Sequence, residues 1–510
     1  MQDLNLSMFR AYDIRCPARD LPPALARRLA AAQACYFRDD LGVGEVVLAH
    51  DARTSGPTFL AIAAEVFRRA GLTVQYLPGA STASHFYYTV MENPASAAVM
   101  FGASHNPAGD TGQKLLAPGA RPIARHIGPL GGLDRIQELY LAGAEPSPAA
   151  RMAPAYAVDN MERYVRYSLG LAGVSLGHFG GLKSGRPVRV LQDYLYGAGG
   201  PEMMLGMQAA GVDLTPLHFV PDGSFPLGDP NPVKPKVIAE GLAALQQGDY
   251  LLATFFDGDA DRVDFYAGNG TYLASSFVYA AILPYVLEQF PGGRDRSIFA
   301  DLKANPLAVI EMARAGVQVG VIRNGHSQIK EAMLQDDRVI GAVEESAHFY
   351  QRFSLAGKGP YCTENTLYLA LLVTRVWAEH PERFQELLAL QAKTAREREW
   401  GHHFPNDAAR QEAMQAVEEH FAGQGLEARA QGAGGLELEA TLMRRGLPFA
   451  ITPETVPEPD WLQVCQRISQ SEDGLARWEV VAATPQIAGQ AKADIERLVA
   501  AFGAGAPYQG

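Results

Sequence analysis

Cysteine is scarce: the 510 residues hold four, Cys16, Cys35, Cys362 and Cys465, far apart and with no C-x-x-C pair. That excludes a disulfide framework, argues against a structural zinc site and points to a reducing cytoplasm. Long apolar runs are also missing. The longest, Phe277 to Leu287 and Leu367 to Val373, fall short of the roughly 18–20 residues that span a bilayer, so no membrane association is expected. The N-terminus lacks a basic stretch leading into an apolar one, so no export signal is expected and the protein is placed in the cytoplasm. Positive charge is in deficit, 44 Lys and Arg against 56 Asp and Glu, for a net charge of −12. Such a surface repels nucleic-acid phosphates and anionic lipids, and no nucleic-acid partner is expected. An anionic small substrate stays open, because a cleft can gather arginines, lysines and helix N-termini that the total hides.

What is present is an ordinary globular composition, 47% hydrophobic and 20% charged, over a length that predicts about three or four domains. Three segments share one grammar. Val46 to Asp51, a loop to Gly56-Pro57, a helical stretch to Ala70-Gly71 and an apolar run Leu72 to Leu77 make the first. Val188 to Asp193, a glycine loop to Pro201, a helical stretch to Ala210-Gly211 and Val212 to Leu214 make the second. Ser297 to Asp301, Asn305-Pro306, a helical stretch to Ala315-Gly316 and Val317 to Ile322 make the third. A strand, a proline near the helix start, an amphipathic helix, a glycine just past its end and a second strand predict βαβ three times. The unequal intervals exclude a solenoid and favour a triplicated α/β domain, against the plain alternative that any α/β chain offers such matches. After about residue 390 the pattern breaks into a charged helical region, then Leu436 to Leu442, a proline-rich linker Thr452 to Pro459, a strand Trp478 to Ala482 and a last helix near Gln490 to Phe502, which predicts a separate α+β domain.

Two loops carry chemistry. The apolar run Leu251 to Phe256 delivers Asp257-Gly258-Asp259-Ala260-Asp261-Arg262, and three carboxylates at alternate positions of an extended chain point one way. They repel unless a hard cation sits among them, and Mg²⁺ with oxygen ligands is expected. A calcium loop needs Gly at its sixth position and Glu at its twelfth, where this chain has Arg262 and Gly268. A solvated acidic turn is the bland alternative. The strand Ala97 to Phe101 delivers Gly102-Ala103-Ser104-His105-Asn106-Pro107, in which a nucleophile elbow fails because Asn106 stands where glycine is needed. On residue types alone, a turn or helix cap is the plain reading. Gly197-Ala198-Gly199-Gly200 misses the dinucleotide fingerprint at Glu202 and reads as a βα turn.

In order and rough spacing these motifs resemble the α-D-phosphohexomutases, the phosphomannomutase/phosphoglucomutase family. Phe9 to Arg15 is similar to the family's N-terminal signature, Ser104 to Pro107 to its phosphoserine loop, and Asp257 to Arg262 to its metal loop. Gly325-His326-Ser327 and Glu344 to His348 resemble its sugar loops, and Arg467 to Ser471 its phosphate loop. The resemblance implies three related α/β domains, each a mixed sheet sandwiched by helices, at 1–155, 156–271 and 272–388, with an α+β domain at 389–510 closing a central cleft. It implies a mutase moving phosphate between C1 and C6 of mannose or glucose through phosphorylated Ser104 and a hexose 1,6-bisphosphate. Mg²⁺ would be held by Ser104, Asp257, Asp259 and Asp261. His105, Lys114, Arg15, Arg262 and His326 would attend the reacting groups, with Lys114 a proton-transfer candidate. Glu344, Ser346 and His348 would hold the sugar, and Arg467, Ser469, Gln470 and Ser471 the non-reacting phosphate. Tyr12, Lys303 and Arg323 are further candidates, the last two equally readable as surface ion-pair partners. A monomer or small homo-oligomer is compatible with all of this.

Departures touch the specificity elements. Glu345 and Ala347 stand where the family commonly has one acid and a glycine, Glu472-Asp473 follow the phosphate loop, Lys114 lacks the usual preceding Asn-Gly, and Cys16 replaces a frequent glycine. A mutase for another phosphosugar, such as glucosamine phosphate, and a sugar-phosphate-binding protein with weakened turnover are the alternatives.

Overall fold

Each of the three repeated segments folds as two parallel strands flanking one helix. In the computed structural model, which describes residues 4–182, 186–290, 296–469 and 474–508, the first sheet holds seven strands. They are β1 (Ile14–Pro17), β2 (Glu45–His50), β3 (Thr73–Ala80), β4 (Ala97–Phe101), β5 (Asp110–Ala117), β6 (Arg121–Ile123) and β7 (Ala155–Ala157). Their order is β1-β5-β4-β2-β3-β7, with β6 on β5. The second sheet holds five strands in the order β9-β8-β10-β11-β12, from β8 (Arg189–Asp193), β9 (Asp213–Leu217), β10 (Leu252–Phe256), β11 (Val263–Ala267) and the two-residue β12 (Tyr272–Leu273). The helices Gly56–Arg69, Gly200–Ala209 and Pro306–Arg314 join the parallel pairs β2/β3, β8/β9 and Ser297–Asp301/Gln318–Ile322. Pro57, Pro201 and Pro306 lie in the first turns, where a missing N–H costs nothing. Gly71, Gly211 and Gly316 end the helices at φ of +89°, +82° and +97°, a region side chains resist.

A shared side-chain device marks the repeat as well. Asp51, Asp193 and Asp301 each follow or end the first strand, and each accepts a hydrogen bond at Oδ1 from the backbone N–H two residues on: Arg53 (2.9 Å), Leu195 (3.0 Å) and Lys303 (3.2 Å). The turn after the strand is thus held by its own carboxylate.

The chain divides into two units, Met1–Tyr272 with His326–Asp336 and Ser346–Glu379, and Leu273–Gly325 with Asp337–Glu345 and His380–Gly510. In the first, every residue of β4 and β10 is buried, as their unbroken apolar sequences require of interior strands. Each interior strand ends at a chemical loop, Gly102 to Pro107 and Asp257 to Arg262. The same unit holds the helix His326–Gln335 and the antiparallel hairpin His348–Ser354/Pro360–Glu364.

The second unit contains the parallel strands Gln318–Ile322, Ser297–Asp301 and Val339–Glu344. It also holds an antiparallel sheet ordered Ala395–His403, Leu475–Ala482, Leu462–Ile468, Glu437–Arg445, Glu427–Gln431. The helices Asp407–Gly423 and Pro485–Ala500 pack on that sheet through Val417, Phe421, Ile495 and Val499, so the α+β character holds. Two strands were not expected there. Ala395–His403 and Glu427–Gln431 are rich in charge, which resembles a helical surface in sequence. In the first of them the charges are satisfied across the sheet, Arg396 on Glu479 and Glu399 on Arg477. The last helix begins at Pro485, earlier than expected, because Thr484 caps it by accepting from the Ile487 N–H. Among the described residues no helix is long and apolar enough to cross a membrane.

Candidate active site

The serine and aspartate loops meet. Ser104, buried and at φ +49°, donates from Oγ to Asp257 Oδ2 at 2.6 Å. Gly258 permits the approach, since a Cβ there would stand 2.5 Å from the Ser104 carbonyl oxygen. Gly197 permits another: its Cβ would lie 2.8 Å from the Asp257 and Gly258 carbonyls, and Ala198 N–H donates to Gly258. The glycine segment read as a βα turn is therefore one, and it also supports the aspartate loop.

Asp257, Asp259 and Asp261 lie close together, but not by the strand alternation expected. β10 stops at Phe256, and the three follow it in a turn with Ala260 at φ +52°. The turn, rather than an extended face, gathers the carboxylates. All three are buried, with ligand oxygens within 4.8 Å of one another. Burial, then the charges of Asp261 and Asp259, push the Asp257 carboxyl up to about 8. Lys114 on β5 places Nζ 2.5 Å from Asp259 Oδ2 and also donates to Asp261. Burial works against its charge, yet the two aspartates hold the ammonium well above its ordinary range. Asp259 Oδ1 and Asp261 Oδ1 are buried without a hydrogen-bond partner among the described residues. An all-carboxylate set with two idle buried oxygens fits a hard divalent cation such as Mg²⁺.

A second layer backs the loop. Arg262 donates its N–H to Asp257 Oδ1 (3.2 Å) and Nε–H to His348 Nε2 (3.0 Å). His348 Nδ1 then faces Glu364 Oε1 at 3.1 Å, and Glu364 pairs with Lys330 at 2.7 Å. His348 thus lies in a buried ionic chain beneath the aspartates. Arg15 bridges Asp13 Oδ2 (2.5 Å) and Asn106 Oδ1 (2.8 Å), tying β1 to the serine loop. His105 Nδ1 is 3.2 Å from Ser104 Oγ; desolvation, then Arg262 and Arg15, hold it well below the ordinary histidine range, hence neutral. His326 opens the helix His326–Gln335, with Nε2 buried and unpartnered among the described residues and its ring edge-on to Tyr12 at 6.2 Å. Ser346 lies in the turn before His348, where Ala347 takes φ +70° and its carbonyl accepts from Val263 N–H. The conformation that favours glycine is kept, with alanine bearing it.

Sequence reasoning missed Arg53. Its side chain is 1% exposed and 3.1 Å from Asp51 Oδ2 through Nε. It donates to the carbonyls of Ser104 (2.9 Å), Asn106 (2.6 Å) and Pro107. Asp51 in turn accepts the Ala103 N–H at 3.1 Å. One ion pair thereby clamps the serine loop at both ends. The shared aspartate after the first strand of each repeat was the available signal.

In the second unit, Glu344 Oε1 accepts from Asn324 Nδ2 (2.9 Å) and Gly325 N–H (3.2 Å). Glu345 is turned away from that role: it accepts from the Ser276 N–H at 3.3 Å and pairs with Arg396 at 2.8 Å, so its extra charge is neutralised internally. Lys303 is buried rather than a surface residue, 3.6 Å from Glu399 and 3.9 Å from Asp301. Arg323 pairs with Glu439. Arg467 grips Glu399 with Nε (3.0 Å) and Nη2 (2.8 Å), and Ser469 N–H donates to Leu475 O at 2.9 Å. Gln470 and Ser471, with Glu472-Asp473, lie outside the described residues.

Comparison with known proteins bears on this arrangement. Models of phosphoglucomutase/phosphomannomutase α/β/α domains I, II and III match residues 6–128, 175–270 and 275–394, in that order. A phosphomannomutase of Escherichia coli K12 is 27% identical over 362 residues, 70% of this chain and 75% of that one. A phosphoglucomutase of Neisseria gonorrhoeae is 27% identical over 356 residues, 69% and 71% of the two chains. A solved phosphoglucomutase/phosphomannomutase family protein of Burkholderia thailandensis has the same fold, with a TM-score of 0.75 at 22% identity over 99% of both chains.

Proposed function

From the premise that this chain belongs to the phosphoglucomutase/phosphomannomutase family and is a phosphohexomutase of the isomerase class, we propose that it interconverts the 1- and 6-phosphates of mannose or glucose. Ser104 carries the phosphoryl group, and a hexose 1,6-bisphosphate serves as intermediate and activator. The observation that carries this is the Ser104 hydroxyl, 2.6 Å from Asp257 and inside a buried three-aspartate turn.

Asp257, Asp259, Asp261 and an oxygen on Ser104 would hold Mg²⁺. When bound, the metal supplies positive charge against the transferring phosphoryl group, the main lever in such reactions. The chain's own groups do the rest. Asp257 accepts the Oγ–H and fixes the serine rotamer. Arg53 pins the loop carbonyls, so the oxygen keeps one position during both transfers. Arg262 and Arg15 add fixed positive charge and need no reorganisation. Lys114 is charged while Asp259 and Asp261 face it. Once those carboxylates are engaged elsewhere, burial alone acts on its ammonium and eases loss of a proton, which suits transfer at the sugar hydroxyl. His326, held neutral chiefly by burial, offers the sugar an Nε2 that has no hydrogen-bond partner among the described residues.

Glu344, with Ser346 and His348, is assigned to the sugar. Arg467, Ser469, Gln470 and Ser471 are assigned to the non-reacting phosphate. We retain four domains at 1–155, 156–271, 272–388 and 389–510. The four cysteines are buried and unbridged, which supports a reducing, cytoplasmic setting.

The test is direct. With Mg²⁺ and catalytic glucose 1,6-bisphosphate, the purified protein should convert mannose 1-phosphate or glucose 1-phosphate to the 6-phosphate, and its intact mass should include one phosphoryl group. Ser104→Ala should lose both the added mass and nearly all turnover. Wild-type turnover in that variant would overturn the assignment of Ser104.

A further inference from the structure

Two helix starts of the first unit hold the aspartate turn by its backbone. Ala260, its buried middle residue, takes φ +52°, a conformation that side chains resist and that persists only where neighbours hold it. The two peptides flanking Ala260 are each fastened from outside the turn. Thr366, 106 residues on, donates its Oγ–H to the Ala260 carbonyl at 2.7 Å, and Ala83 N–H donates to the Asp259 carbonyl at 3.0 Å. Both donors are themselves fixed. Asn365 Oδ1 caps the helix Thr366–Glu379 by accepting the Tyr368 N–H (3.0 Å), and Thr366 N–H donates to Ser84 Oγ (3.3 Å). Thr82 caps the helix Ala83–Glu92 by accepting the His85 N–H at 3.1 Å, and donates its hydroxyl to Glu202 Oε1 at 2.7 Å. Thr82, Ser84, Glu202 and Thr366 are at most 3% exposed, so bulk water does not reach these bonds.

We propose that Thr366, with the Ala83 N–H as a second hold, is a positioning residue for the metal: it fixes the left-handed turn that brings Asp257, Asp259 and Asp261 together. This rests on the assignment of Mg²⁺ to those three carboxylates. Before a cation binds, the carboxylates repel one another, and Lys114 offsets that repulsion only at Asp259 and Asp261. The simplest relief is to rotate the peptides about Ala260, which returns it to negative φ and spreads the side chains. Such a rotation swings the Asp259 or Ala260 carbonyl off its donor and leaves both groups stranded in the interior. The two bonds therefore keep the binding-competent turn populated before the metal arrives, and apparent metal affinity scales with that population. Because the bonds hold backbone carbonyls and not carboxylate oxygens, holding and coordination do not compete for the same atoms.

Thr366→Val keeps the branched shape and the N–H but removes the hydroxyl donor, whereas Thr366→Ser keeps the donor. Metal binding is read on the full chain with Mn²⁺, a hard cation that also takes oxygen ligands, from the loss of its free-ion electron paramagnetic resonance signal. Thr366→Val should raise both the Mn²⁺ Kd and the Mg²⁺ concentration for half-maximal turnover about tenfold, the scale on which a stranded buried carbonyl shifts a two-state equilibrium. The KM for glucose 1-phosphate at saturating Mg²⁺ should stay within about twofold, since the loss is one of metal binding. Thr366→Ser should recover most of both metal effects. If Thr366→Val fails to fold, Thr366→Ala, which adds no bulk, is read in its place and should move both quantities in the same direction by about threefold or more. A lowered denaturation midpoint with unchanged Mn²⁺ Kd and Mg²⁺ requirement would show that Thr366 serves stability alone, and would overturn the positioning role while leaving the metal assignment standing. A wild-type protein that binds no Mn²⁺ and turns over without Mg²⁺ would overturn the metal assignment and this proposal together.

Discussion

The clamp built by Arg53 can be tested by replacing it with methionine. The variant keeps an apolar stem against Phe225, whose ring the guanidinium carbon overlies at 5.2 Å, but leaves the Asp51 carboxylate buried with, among the described residues, only the backbone donors Arg53 N–H and Ala103 N–H. Removing one member of a buried ion pair costs about 3–5 kcal/mol. The carbonyls of Ser104, Asn106 and Pro107 also lose a donor, at about 1 kcal/mol or more for each that water cannot reach. A loss of at least about 4 kcal/mol is expected. A chain of several domains does not melt in two states, so the quantity to follow is the first urea transition, monitored together with turnover. Turnover should fall about a hundredfold, because the nucleophile's loop loses its fixed position and misplacement near 1 Å costs that much. Lysine should not rescue, since a point charge cannot reach the carboxylate and three carbonyls at once. Asp51→Asn combined with Arg53→Met should recover part of the loss, because the stranded charge is gone. A first transition within about 1 kcal/mol of wild type, with unchanged kcat/KM, would refute the clamp.

Other consequences are as specific. Chelation with EDTA should abolish turnover and Mg²⁺ should restore it, with Asp259→Asn needing more Mg²⁺ for half-maximal rate; rates indifferent to both would remove the metal assignment. Lys114→Met leaves Asp259 and Asp261 without their counter-cation, so the metal-free protein should melt earlier while Mg²⁺ raises its melting temperature more than that of wild type. Equal shifts in the two proteins would count against competition for the aspartates. Burial pushes the Glu202 carboxyl up to about 8, with the hydrogen bonds from Thr82 and Tyr164 opposing. Between its ordinary value of 4.5 and about 8 the folded chain keeps a proton that the unfolded chain has lost, so this group's contribution to stability falls as pH rises through that window. Glu202→Gln should therefore gain on wild type steadily from about pH 4.5 to 8 in denaturation midpoints, and a gap that ignores pH would exclude Glu202 as its source.

Much of this molecule was legible in one dimension. The βαβ repeat follows from local chemistry, because proline at a helix start and glycine past its end mark boundaries that backbone sterics enforce wherever the segment sits. The loops after Phe101 and Phe256 were legible for a related reason: a strand buried on both faces has an unbroken apolar sequence, and polar residues directly after it must lie at its end. What the tertiary structure decided were long-range pairings of charge. Glu399 and Arg396 look helical in sequence because charge density alone does not distinguish a solvated helix from a strand whose ions pair across a sheet. Lys303 resembles a surface lysine until Glu399 and Asp301 are brought beside it from separate strands. Arg53, 51 residues from Ser104, shares no local pattern with the carbonyls it holds. The aspartate triad joins both levels: its spacing marked a cation site, but the turn at Ala260 and the close approach of Gly258, rather than strand alternation, direct those carboxylates toward Ser104. Local sterics determine where elements begin and end, whereas the partner of a buried charge is set by which strands the fold makes neighbours.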